Sequence, residues 1–158
     1  MYQSTKVIKG FSTCFRQWKA VQSHCSFLHG YALKFKLTFE ANTLDERNWV
    51  QDFGFTKQQI KDPGNLRLQG KTIKDWFSHM FDHTTLVAYD DPFYNVLEAL
   101  ALNDLIDLRG VEKVGCEAFA ELVYYFIQEQ LAKQGNKVFL LSVECMENED
   151  NSAIFIKK

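Results

Sequence analysis

The segment Ser23-His24-Cys25-Ser26-Phe27-Leu28-His29-Gly30-Tyr31 gathers a thiol, two imidazoles and a phenol within nine residues. On a strand beginning at His29, side chains two apart share a face, so His29 and Tyr31 point the same way and Gly30 leaves room behind them. Cys25 then lies in the loop that enters the strand. A thiolate there can abstract a proton or attack carbon, whereas an unperturbed cysteine is only a small hydrophobe. A second pair is Asp82-His83. A carboxylate beside an imidazole can fix the tautomer and orientation that proton transfer needs, and the same pair at a helix end can equally be a cap and a surface histidine. A third candidate is Glu144, which ends the apolar run of residues 138–143 and, on simple alternation, shares a face with Val138, Leu140 and Ser142. A carboxylate there can accept two parallel N–H bonds from a 2-aminopyrimidine edge, as it does from arginine. Glu117 could support it, or could simply complement a helix dipole.

These residues need elements to hold them. Residues 7–15 alternate loosely, with Val7, Phe11 and Phe15 on one side and Ile8, Ser12 and Cys14 on the other. Residues 29–40 alternate strictly, with Tyr31, Leu33, Phe35, Leu37 and Phe39 on one face, the period of two of a half-buried strand. After Trp49 the pattern becomes helical: residues 72–80 turn Ile73, Trp76, Phe77 and Met80 inward, residues 93–102 follow, and residues 116–133 carry Phe119, Leu122, Val123, Phe126 and Ile127 before Gly135. Residues 138–145 and 152–156 return to strand character as a hairpin around the polar turn 148–151, and residues 61–70 read as a loop insertion. Two strands, a helical section and two strands predict an α+β fold, a four-stranded antiparallel sheet with helices on one face. Its exposed edges predict closure into an oligomeric barrel between identical subunits.

Composition bounds the function. At 158 residues the chain is one domain, residues 1–158, and 46% hydrophobic with 15% aromatic residues, including 14 Phe, is globular. A formal charge of -2 offers no basic face for nucleic acid. No apolar run spans a membrane and the start has no secretory h-region, which predicts a cytoplasmic protein. The cysteines Cys14, Cys25, Cys116 and Cys145 are scattered without a C-x-x-C pair and read as thiols.

Taken in order, these pieces resemble the 6-pyruvoyltetrahydropterin synthase / 6-carboxytetrahydropterin synthase family. Phe11-Ser12-Thr13-Cys14-Phe15-Arg16 is similar to its F-S-A-A-H-R strand, residues 25–31 to its C-x-x-x-H-G-H, Val50-Gln51-Asp52-Phe53 to its V-x-D-F, residues 81–86 to its L-D-H-x-x-L, Gly115-Cys116-Glu117 to its T-S-E helix start, and Glu144 to its late strand glutamate. The resemblance implies a tunnelling fold with sites at subunit interfaces. It implies a lyase acting on dihydroneopterin triphosphate or a related pterin or purine-like compound, in pterin or 7-deazapurine (queuosine-type) biosynthesis. It casts Cys25 as the base, Asp82-His83 as the proton relay, and Glu144 with Glu117 as the pterin anchor, and Tyr31, where the family has a histidine, is expected as a further substrate contact.

The family's three zinc histidines are matched here by Phe15, His29 and Tyr31, so one imidazole remains. Three readings stay open. His24, with His29 and with Cys25 or Tyr31, rebuilds a zinc site; or Tyr31 and Cys25 act as acid and base without metal; or catalysis is gone and an oligomer binds a pterin- or guanine-like ligand through Glu144.

Overall fold

The computed structural model describes residues 1–158. Strand β1 (Tyr2–Ile8) and β4 (Lys34–Ala41) form an antiparallel pair, β4 pairs with β7 (Phe139–Met146), and β7 with β8 (Ser152–Ile156), giving a four-stranded antiparallel sheet in the order β1-β4-β7-β8. The alternation of β4 is what buries it: Phe35, Leu37 and Phe39 are fully enclosed while the lysines and threonine between them face outward. Helix α3 (Cys116–Lys133) packs on β7 and β8 through Phe119, Val123, Tyr124 and Ile127. It stops at Gln134, where Gly135 takes the left-handed φ of 69° that ends helices.

The section between the two halves of this sheet is not purely helical. Helix α1 (Ile73–Phe81) and helix α2 (Tyr94–Leu102) are present, and Thr72 caps α1 in a reciprocal box with Asp75. Between and after them lie β5 (Thr84–Ala88) and β6 (Leu108–Val111), which the helical reading of this section missed. They join β2 (Thr13–Phe15) and β3 (His29–Tyr31) in a second four-stranded sheet, order β3-β2-β5-β6, with β2-β5 and β5-β6 parallel. All five residues of β5 are buried, so it has no wet face and no alternation to read.

The expected strand over residues 7–15 is also corrected. Gly10, at φ 98°, breaks it into β1 and β2 and resets the phase, so Ile8 is buried and Val7 exposed, while Phe11, Thr13 and Phe15 turn inward. Residues 29–40 likewise divide into β3 and β4 in different sheets, although the buried face continues unbroken from Tyr31 to Phe39. Between the sheets Phe11, Phe35, Phe77, Phe81 and Phe119 pack ring on ring at 4.7–6.3 Å, and Trp76 stacks on Phe126 at 3.8 Å. No helix is long and apolar enough to cross a membrane.

Candidate functional site

The second sheet meets the end of the first where β3, the loop before it, the start of α3 and the β7-β8 turn converge. There a cavity of about 190 Å³ is lined by Phe15, Gln17, Cys25, Tyr31, Gly115, Cys116, Glu117 and Glu147, with residues 151–153 at its rim. Each side chain has a local reason to be there. Cys25 sits on a single 3-10 turn, His24–Ser26, capped by the Ser23 hydroxyl accepting from its amide, and its carbonyl accepts from the Gln17 amide at 2.8 Å. The Gln17 side chain donates to the Val114 carbonyl at 3.1 Å, directly beneath Gly115. Gly115, the residue before α3, has φ 117°, a backbone conformation that favours glycine, and a Cβ there would push the Gln17 amide aside.

The positions expected to matter fall into two groups. Cys25, Tyr31 and Glu117 share the cavity, and His29 touches it through Tyr31, whose hydroxyl lies 2.8 Å from His29 Nε2. Asp82 and His83 do bond to each other, Oδ1 to Nδ1 at 2.9 Å, and His83 is locked at φ 55° with its amide donating to Ser12 O. In this chain, however, His83 faces a separate cleft beside Arg67, Asp104, Asp107 and Arg109. His24 is exposed on its turn. Glu144 is not in the cavity either. The β4-β7 ladder slips between Thr38 and Phe39, so that Leu141 is an extra residue with no partner. Leu140, Val143 and Cys145 therefore point inward, while Ser142 and Glu144 face out, where Glu144 accepts from the Ser152 hydroxyl at 2.6 Å. The face shared with Leu140 that simple alternation predicts does not form. The carboxylate that does reach the cavity is Glu147, just past the end of β7, where its amide closes the hairpin on Asn151 O at 3.0 Å. Its signal in the sequence is only its place as the last residue before the polar turn.

Electrostatics single out two groups. Burial, reinforced by the nearby Cys25, Glu147, Cys116 and Cys14, pushes the Tyr31 phenol up to about 12, so it is a neutral O–H donor at ordinary pH. Cys116 is held below the usual thiol range by a hydrogen bond with Cys145, and Cys145 is correspondingly raised, first by that bond and then by burial. Cys145 keeps its proton and donates it toward the Cys116 sulfur, at the first residue of α3. Sequence reasoning gave Cys116 no role of its own.

The three positions that match the family's zinc histidines do not fit the metal, and His24, expected beside His29 as a replacement ligand, is exposed on its turn. Phe15 has no donor and is 2% exposed, its ring stacked on Tyr31 at 4.1 Å and edge-on to Phe119 at 5.0 Å. Tyr31 keeps its proton and is bonded to the one imidazole, His29. Zinc needs three or four deprotonated donors around one point, and no cluster of three His, Cys, Asp or Glu side chains provides that.

A family model for 6-pyruvoyl tetrahydropterin synthase matches residues 4–158. Among solved structures, the uncharacterized protein WS1659 from Wolinella succinogenes is similar with a TM-score of 0.75 at 20% identity, covering 99% of this chain and 98% of that one. The 6-pyruvoyl tetrahydropterin synthase of Caenorhabditis elegans gives a TM-score of 0.60 at 14% identity over 99% and 96% of the two chains. That of Plasmodium falciparum gives 0.58 at 12% identity over 99% of each. No curated protein matches.

Proposed function

The chain belongs to the 6-pyruvoyl tetrahydropterin synthase family, and on that premise we propose that it is a pterin-processing lyase of the 6-carboxytetrahydropterin synthase type that works without zinc. The observation that carries this reading is the convergence of Cys25, Tyr31, Glu117 and Glu147 on one cavity. Glu117 and Glu147, in place of Glu144, receive the N–H edge of the 2-aminopyrimidine ring. Cys25 removes a proton from the substrate's side chain. Tyr31, neutral and held by His29, donates its hydroxyl hydrogen to the oxygen on which negative charge develops, the task a Lewis acid performs elsewhere. For that donation His29 Nε2 carries its proton and bonds to the Tyr31 oxygen, leaving the phenol hydrogen free.

Asp82-His83 acts from a second copy of the chain. Within one chain the pair faces another cleft, and β1 and β8 are free sheet edges through which copies can join. The test is turnover and binding of dihydroneopterin triphosphate and related pterins by the purified protein, with Cys25→Ala, Tyr31→Phe and Glu147→Gln. The reading requires Cys25→Ala to lose turnover and keep binding, and Glu147→Gln to lose binding. Pterin binding that depends on Glu147, with no turnover in any form of the protein, would instead leave a binding protein.

A further inference from the structure

We infer that the bare apolar face of α2 seats a second copy of this chain, packed antiparallel about a two-fold axis near Ala99, and that this contact carries the His83 cleft of one copy to the Cys25 cavity of the other. The inference deepens the reading above, which needs Asp82-His83 from a second copy. Leu97 is the one buried residue of α2, yet most of the helix is apolar. On the sides turned away from Leu97 stand Val96, Ala99 and Leu102, all exposed, with Phe93 before the helix and Leu105 after it equally bare. A helix that is apolar all round is normally covered all round.

The two half-sites lie at opposite ends of this helix. At its start, Asp91 accepts the Arg16 fork at 2.8 and 2.6 Å and the Phe93 amide at 2.9 Å, and Arg16 also donates to Ser26 O at 3.2 Å, beside Cys25. At its end, Ala101, Asp104 and Leu105 line the cleft that holds His83. Strand β2 sets the same separation. The His83 amide donates to Ser12 O before it and the Gln17 amide to Cys25 O after it, a stretch of roughly 15 Å of extended chain; the nine residues of α2 span about 13 Å. An antiparallel second copy therefore exchanges the ends, so that each Cys25 turn meets the partner's His83 cleft, twice in one isologous contact. Charge agrees: α2 has neither a capping side chain nor an acid in its first turn, and no cation in its last, beyond which Asp104 stands. The exchange sets Asp104 of each copy beside the positive N-terminus of the other. Ala99 is small enough for the helices to approach, and Glu98, the one charged residue of α2, lies about 100° round the helix from it. Five side chains fall short of the roughly 800 Å² per partner of a standard interface, so this contact adds to the joining of sheet edges and does not replace it.

Cross-linking and mass measurements on the full-length protein test this. Under mild oxidation Ala99→Cys is expected to give a covalent dimer, mapped by peptide analysis to the two introduced thiols, at least about tenfold faster than Glu98→Cys does. Leu102→Asp, at a residue 80% exposed, should keep its circular dichroism spectrum and halve the mass of the assembly in light scattering. Cys25→Ala and His83→Ala, each inactive alone, should recover about a quarter of the unaltered turnover on co-assembly, since about half of the pairs are mixed and each of those has one intact site. Adding Leu102→Asp to both should abolish that recovery. An unchanged mass with no link at position 99 overturns the inference, and so does recovery that survives Leu102→Asp, which keeps the second-copy reading. A link at position 99 with no turnover in any form of the protein keeps the α2 contact and overturns the pterin reading.

Discussion

Replacing two aromatic rings with imidazoles should restore the three-histidine set of the family, of which this chain keeps only His29. In the double variant Phe15→His/Tyr31→His, the new side chains flank His29, which stands opposite Phe15 in the β2-β3 register. Without metal the change is costly. It removes the Phe15 stack on Tyr31 at 4.1 Å and the edge contact with Phe119 at 5.0 Å, each worth about 0.5–1.5 kcal/mol beyond burial. It also buries imidazole where a ring only 2% exposed had been apolar. A destabilisation of about 2–4 kcal/mol is expected. Zinc bound only by the folded form returns about 4 kcal/mol at a thousandfold excess over Kd. Chemical denaturation with and without zinc, with metal content measured after dialysis, should therefore show a weakened variant that zinc restores to near the unaltered stability. One zinc per subunit retained by the unaltered protein, or a double variant indifferent to zinc, would refute the reasoning.

Three further outcomes follow from the same geometry. Because the folded Tyr31 phenol titrates near 12 and the unfolded one near 10, its contribution to stability is complete below about pH 10 and is lost as pH rises toward 12; Tyr31→Phe should flatten that alkaline loss in denaturation midpoints, and an unchanged slope counts against it. Asp91, whose side chain is 2% exposed, is held below the usual carboxylate range by Arg16, so its contribution is present above about pH 4 and fades as pH falls. Asp91→Asn should cost about 3 kcal/mol at neutral pH and little in acid, measured by urea unfolding. Peptide mapping after brief iodoacetamide treatment near pH 7 should find Cys116 alkylated faster than Cys14, whose thiol burial raises, and Cys145→Ala should slow Cys116. Equal rates at Cys14 and Cys116 would contradict the thiol pair.

The elements with a wet and a dry face were legible because their period survives in a linear string. Helices α1, α2 and α3 and the β7-β8 hairpin were expected within a residue or two of where they lie, and the alternating face of β4 was read correctly although the strand begins at Lys34 rather than His29. What failed were features with no period. Strand β5 is buried on all sides, and β6 has only four residues. The phase shifts at Gly10 and Leu141 each move a face by a single residue, which suffices to exchange inside for outside on a strand.

The candidate site divides the same way. Cys25, Tyr31 and Glu117 were identifiable from residue type and order, and so was the presence of Phe15 and Tyr31 at two of the family's three zinc-histidine positions, since residue identity needs no fold. The tertiary structure decided that Glu147 rather than Glu144 enters the cavity, because one unpaired residue in the β4-β7 ladder turns Glu144 outward. It also decided that Cys116 lies in that cavity with Cys145 behind it, and that Asp82-His83 does not reach it within one chain. Those are matters of register and of contact between residues far apart in sequence. Residue order names the reactive groups, but only packing determines which of them face one another.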